Sequence, residues 1–435
     1  MTATGRLLDF ARAEHRLPDE VRGAAMTMLA DTLATGAAGA RAPGAEAVRA
    51  VADGWGAGSE ARLLGDVGRM PAASAAFVNA FRIHCLEWDA LHERAVVHAF
   101  ATVVAALMAA IDRRGGCDSD EALAALAVGI DVAAGLGIAA SSPLKFFRPA
   151  TAGCIGSALA VARIEGVERF DDVLGLAYSQ CAGTMQAHVE GSIALPLQVA
   201  GAARAAIAAV DMVRHGLSGP HDALEGPYGY FRLIDDGALS TYTDGIGSVW
   251  RIAECSIKPY PSGRASHGLL ATVDALIRSG ELRADDVETV ELFAPPLIAR
   301  LVGRPIQPDM TPGYARLCLP MLTALILRDG CIDPRRFTPA TFADPAMLAL
   351  AARFRLTVDD NPDPNALSPQ RVVIRLRDGR TIERKIPHTL GHPDAPMDAA
   401  QAAAKRALAA QLAPPTSDPR IFDDPLSYLT CPEAR

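Results

Sequence analysis

Alanine fills about a fifth of the 435 positions and gathers in runs at helical spacing, as in FATVVAALMAAI and EALAALAVGIDVAAGLGIA. Alanine loses no side-chain entropy in a helix and lets neighbouring helices approach closely, so this feature commits most of the chain to packed helices. A strand-rich protein would need more β-branched and aromatic residues, and aromatics reach only 5%. To about residue 250 the apolar runs are separated by short connectors, RAPGAE, RRGGCDSDE and EGVERFDD, as in a helical bundle. The segment SDEALAAL reads as a helix start capped by Asp118 or Ser119, and HGLSGPHD as a glycine-terminated helix end.

The same arithmetic narrows the function classes. Acidic residues outnumber basic ones, 50 to 42, and no Lys/Arg run is present, which argues against nucleic-acid binding. The apolar window at 100–111 is too short for a membrane span and the one at 122–140 is interrupted by Asp131, so both are expected as buried helices rather than membrane segments. The eight cysteines form no CxxC pair and are expected to be reduced. The polar start, MTATGRLLDF, lacks an apolar leader, and a cytoplasmic location is the expectation.

Near Ser256 the pattern changes. ETVELFA, RFRLTVDD and QRVVIRLRDGRTIERKI alternate apolar and polar residues, the last around an Asp378-Gly379 turn that predicts a hairpin. Helical segments are expected between them at 267–279, 315–329 and 346–354, followed by an alanine-rich helix from Met397 to Leu412. The expected fold class is mainly α with an α+β lid: a helical domain from 1–255 and 397–435, and an α+β domain over 256–396.

The densest set of ionisable groups is HCLEWDALHERAVVH, with His84, Glu87, Asp89, His92, Glu93 and His98 beside an apolar helix. Carboxylates and imidazoles against an apolar wall are where burial and mutual charge tune acids and bases towards neutral pH. Facing water, the same residues would be a solvated connector; as metal ligands, His84, Glu87, His92 and His98 would predict sensitivity to chelators. A second candidate is SIKPYPSGRASH, which carries Lys258, one of only four lysines, with Arg264 and His267 after a proline-restricted turn. FFRPATAGCIGSALA and HVEGSIALPLQ add Arg148, Thr151, His188 and Gln198. Gly153 and Gly156 are too sparse for a dinucleotide fingerprint, and no strand precedes them.

In this order, AAFVNAFRIHCLEWDALHERAVVH, FFRPATAGCIGSALA, ALEGPYGYF, IKPYPSGRASHGLLATVDAL, ARLCLPMLTALILRDG and IRLRDGRTIERKI resemble the MmgE/PrpD family over about residues 10–412. The resemblance implies a helical domain built from both chain ends, an inserted α+β lid, a homodimer, and a cofactor-free and metal-free site between the domains. The substrate it implies is a small polycarboxylic acid that loses a proton next to a carboxylate.

Residue by residue, Asp89, His98, Lys258 and His267 match family positions and are the implied catalytic set, and Glu87 replaces an aspartate. Ala90 and Leu91 stand where an aspartate and a threonine are common. Arg148 replaces a histidine, and Leu195 and Gln198 replace a lysine and a histidine. Glu87, Arg148, Gln198 and Arg264 are the implied substrate contacts. Arg148, a two-pronged donor suited to a carboxylate, leads to the expectation that Arg148→Ala raises KM far more than it disturbs folding. The implied activity is a dehydratase or decarboxylase; an epimerase or isomerase, or an inactive binding protein of the same fold, is the alternative.

Overall fold

The computed structural model describes residues 2–432. Its centre is a stack of long helices: Asp19–Gly39, Ala72–His84, Ala99–Arg114, Ser119–Ala139, Arg148–Ile164 and Ala194–Arg214. The close crossing of Ser119–Ala139 with Arg148–Ile164 depends on glycine. A Cβ on Gly156 would lie 2.3 Å from the Gly129 carbonyl oxygen and 2.9 Å from the Ala133 Cβ. Gly156→Ala is therefore expected to lower stability by about 1–3 kcal/mol despite alanine's better helix propensity, because two backbones must separate; urea unfolding of the purified variant measures it.

Ser119–Ala139 and Ala194–Arg214 are long and apolar enough to cross a membrane, but the window in the first is 94% buried inside the protein. Its Asp131, expected as an interruption, accepts hydrogen bonds from the Tyr242 hydroxyl (2.6 Å) and the Arg251 amide (2.8 Å). Burial pushes its carboxyl up to about 6. The cap of this helix is Asp118, which accepts from the amides of Asp120 and Glu121.

The expected strands form one mixed sheet in the order Phe354–Val358, Val287–Ala294, Gln370–Leu376, Thr381–Ile386. The first two are parallel, the others antiparallel, and the final pair is the hairpin read from Asp378-Gly379, with Gly379 at φ +90°. Helices His267–Arg278, Leu319–Asp329 and Pro345–Ala351 accompany it. The last long helix, Ala399–Leu412, starts in a capping box of Asp398 and Gln401 and packs on Asp19–Gly39. A buried ion pair fastens that contact: Lys405 Nζ lies 2.5 Å from Asp31 and donates to the Trp88 carbonyl at 3.2 Å.

The segments that enter and leave the sheet-bearing region run side by side. Ser256 exchanges two backbone hydrogen bonds with Leu91, and Ile257 N–H donates to the Gly391 carbonyl at 3.0 Å. The approach is so close that a Cβ on Gly391 would sit 2.0 Å from the Ile257 carbonyl oxygen. All eight cysteines are free, four of them buried.

Candidate active site

A cleft of about 560 Å³, counting its open mouth, lies where helical residues meet residues of the sheet-bearing region. The polar groups on its wall are His84, Glu87, His98, Arg148, His188 and Arg264; Phe147, Met185, Leu195, Leu301, Val302 and Leu317 are among the apolar ones. His84 ends helix Ala72–His84, and His98 is the N-cap of Ala99–Arg114. The loop between them turns sharply enough that Glu87 (φ +55°) and Val96 (φ +53°) are the only non-glycine residues with positive φ among the described residues. Both strained residues line the cleft, the usual place for conformations that cost energy.

Asp89 is fully buried behind the two histidines. Its carboxylate accepts from His84 Nδ1 at 3.0–3.1 Å and lies 3.5 Å from His98 Nδ1, an ion-pair distance. The rings of His84 and His98 stand edge to face, 5.4 Å apart. Burial favours neutral His84, but the charges of Asp89 and Glu87 outweigh it and raise its pKa above the ordinary imidazole value. His98 moves the other way: burial and then the Lys258 charge lower it, and its place at a helix N-terminus acts in the same sense. Asp89 itself is held well below the carboxylate range by His84 and His98, against the cost of burial.

Lys258 is fully buried and stands behind Glu87, not on the cleft wall. Its Nζ donates to the Glu87 carbonyl (2.9 Å) and carboxylate (3.3 Å), which fixes the strained residue from both ends. Burial opposes ionisation of Glu87, but Lys258, His84 and His98 together hold its pKa at about 2. Glu87 thus presents a permanent negative charge to the cleft.

The other sequence candidates stand as follows. Arg148 touches the cleft, but its guanidinium is largely committed within the protein: Nε and Nη2 grip both oxygens of Asp235 at 3.0 Å, and further bonds go to the Ala95 and Ser142 carbonyls. Arg264 is committed likewise to Glu93 and to the carbonyls of Thr389 and Leu390. His267 is fully buried and absent from the wall, its Nε2 facing the Ser262 carbonyl and hydroxyl. Burial, then Arg264 and Lys258, drives its pKa well below the usual value, so it stays neutral. Gln198 does not reach the cleft and lies against Gly183. The four-ligand metal set also fails to converge, because His92 Nε2 pairs with Glu254 at 2.9 Å while its Nδ1 accepts from the Ala95 amide. Within this cluster, His84, Asp89 and His98 offer ligand atoms within 4.8 Å of one another.

Two wall histidines stand outside the implied catalytic and substrate-contact sets. His84 sat in the charged cluster with nothing to rank it above His92. His188 was noticed but has no local signal: burial and then Arg304, from the distant sheet-bearing region, lower its pKa to about 4. Arg304 donates to both His188 Nδ1 and the His188 carbonyl, and its Nη1 is buried without a partner.

The cis-aconitate decarboxylase-like protein oryM of Aspergillus oryzae is 23% identical over 394 residues, covering 84% of this chain and 82% of that protein. The cis-aconitate decarboxylases of Mus musculus and Homo sapiens are each 25% identical over 345 residues, covering 74% of this chain and 69% of theirs. The MmgE/PrpD N-terminal domain matches residues 11–242 and the MmgE/PrpD C-terminal domain residues 260–422. With both domains matched in order across most of its length, the chain belongs to the MmgE/PrpD family.

Proposed function

We propose that the chain is a lyase that acts, without an organic cofactor, on a small polycarboxylic acid by proton transfer next to a carboxylate. One observation carries the proposal: His84 and His98 share Asp89 and line one cleft, yet their surroundings push their pKa values to opposite sides of the ordinary imidazole value. Two like groups tuned apart in this way serve as an acid and a base. His98 is the base, with Nδ1 turned to Asp89 and Nε2 left for substrate. Protonated His84, whose buried Nε2 has no hydrogen-bond partner, is the acid. Asp89 is a positioning residue that holds both rings and steadies the positive charge as it passes between them. Anionic Glu87 turns away a carboxylate from its own end of the cleft and so orients a polyacid. The names of the relatives favour loss of carbon dioxide over loss of water: the C–C bond to a carboxylate breaks, its electron pair stays on the substrate, protonated His84 supplies the replacing proton, and His98 takes up from solvent the proton that recharges it. In loss of water His98 takes the alpha proton and His84 protonates the leaving hydroxyl.

The pH profile of kcat/KM is expected to be a bell spanning the ordinary imidazole value of about 6.5. Activity needs His98 neutral, which its lowered pKa permits below that value, and His84 charged, which its raised pKa sustains above it. A profile that rises monotonically through this range would remove one histidine from the pair.

The direct test is proton NMR in D₂O with a panel of di- and tricarboxylic acids, cis-aconitate first and methylcitrate, citrate and tartrate after it. The expected result is a five-carbon diacid from cis-aconitate, or loss of carbon dioxide or water from another member. Exchange of an alpha proton without net conversion would instead assign an epimerase, and silence across the panel would count against the lyase proposal.

A further inference from the structure

Away from the cleft, the loop that leads from strand Thr381–Ile386 back to helix Ala399–Leu412 carries His388, His392 and Asp394. We infer that these three side chains form a divalent transition-metal site of the Zn²⁺ type, separate from the proton-transfer site. Each offers one ligand atom, and these lie within 4.8 Å of one another. The Nδ1 atoms of His388 and His392 stand 3.8 and 3.5 Å from Asp394 Oδ2. Those separations are long for hydrogen bonds and close to the roughly 3.3 Å between ligands of a tetrahedral zinc bound at ~2.0–2.1 Å. The two rings are stacked 5.0 Å apart at 24°.

Two imidazoles and a carboxylate suit zinc, nickel or copper better than magnesium or calcium. Three protein ligands leave a position for water. His392 Nδ1 also accepts the Asp394 amide at 3.1 Å, and binding through this nitrogen exchanges that hydrogen bond for a coordinate bond.

The backbone is already shaped for the task. Gly391 has φ +92°, its N–H donates to the Ala395 carbonyl at 2.7 Å, and the amides of His392 and Ala395 close two further turns. The groove beside His392 and Asp394 is also lined by His92, Glu93 and Glu254. Because Gly391 accepts from Ile257, the neighbour of Lys258, and Arg264 holds Thr389 and Leu390, a bound ion stiffens a loop that is already hydrogen-bonded to the segment that carries Lys258.

The test is calorimetric titration of the full chain with Zn²⁺, repeated on H388A/H392A and on H98N, with circular dichroism to verify folding. One Zn²⁺ per chain is expected. Affinity should fall more than about a hundredfold in H388A/H392A, since outer-shell partners alone are worth ~10–100-fold, and should be unchanged in H98N. D394N, which keeps the side chain's size, should weaken binding and supplies a second readout should the double variant misfold. Absence of saturable binding, survival of binding in H388A/H392A, or its loss in H98N, which would move the ion to the His84–Asp89–His98 cluster, overturns the inference.

Discussion

Asparagine in place of His98 is expected to lower kcat by about 10²–10⁴-fold, the usual worth of a positioned general base, while the unfolding midpoint barely moves. The asymmetry follows from how His98 is held. Its Nδ1 has no hydrogen bond, only the Asp89 carboxylate at 3.5 Å, so little binding energy is lost when the ring goes. The amide of asparagine keeps a donor near Asp89 but has no group that takes up a proton near neutral pH. Asp89 also keeps its shorter contacts with His84, so no carboxylate is left alone in the interior. Steady-state kinetics on the best acid from the NMR panel, paired with urea unfolding, measures both halves. A variant with wild-type kcat would end the role assigned to His98.

Arg148→Ala is expected to do the reverse of what its chemistry in the sequence suggests. The substitution leaves Asp235 buried without its bidentate partner and removes the bonds to the Ala95 and Ser142 carbonyls. Breaking one half of a buried ion pair costs about 3–5 kcal/mol, a large part of the roughly 5–15 kcal/mol that holds a typical domain. The variant should unfold at markedly lower urea or be recovered mainly insoluble, and any folded fraction should bind substrate with little change in KM. An unchanged midpoint with a raised KM would return Arg148 to the substrate.

The contrast between these two residues marks how far the sequence could be read. Helices, strands and the hairpin at Asp378-Gly379 were legible because periodicity and turn chemistry are local. The segment from His84 to His98 was legible as a site because its ionisable groups sit together in the chain. What periodicity and composition do not encode is the partner that satisfies each charge. Arg148 is answered by Asp235, 87 positions away, and Arg264 by Glu93, 171 away. Both arginines match what a carboxylate substrate would need, and both are used by carboxylates of the protein. His92 and His84 look alike in sequence, yet Glu254 takes one and Asp89 the other. His267, expected as a proton carrier, is held neutral by burial beside Arg264 and Ser262.

The Asp31–Lys405 pair joins the two ends of the chain, and this imposes an order on biosynthesis. A ribosome adding ~5–20 residues per second takes on the order of tens of seconds to travel from one partner to the other. Through that interval Asp31 has no cation, the Trp88 carbonyl has no donor, and the face of Asp19–Gly39 that Ala399–Leu412 will cover is wet. The helical body stays incomplete while the sheet-bearing region is made. A chain cut short upstream of Lys405 therefore leaves Asp31 without its cation and that face of Asp19–Gly39 uncovered.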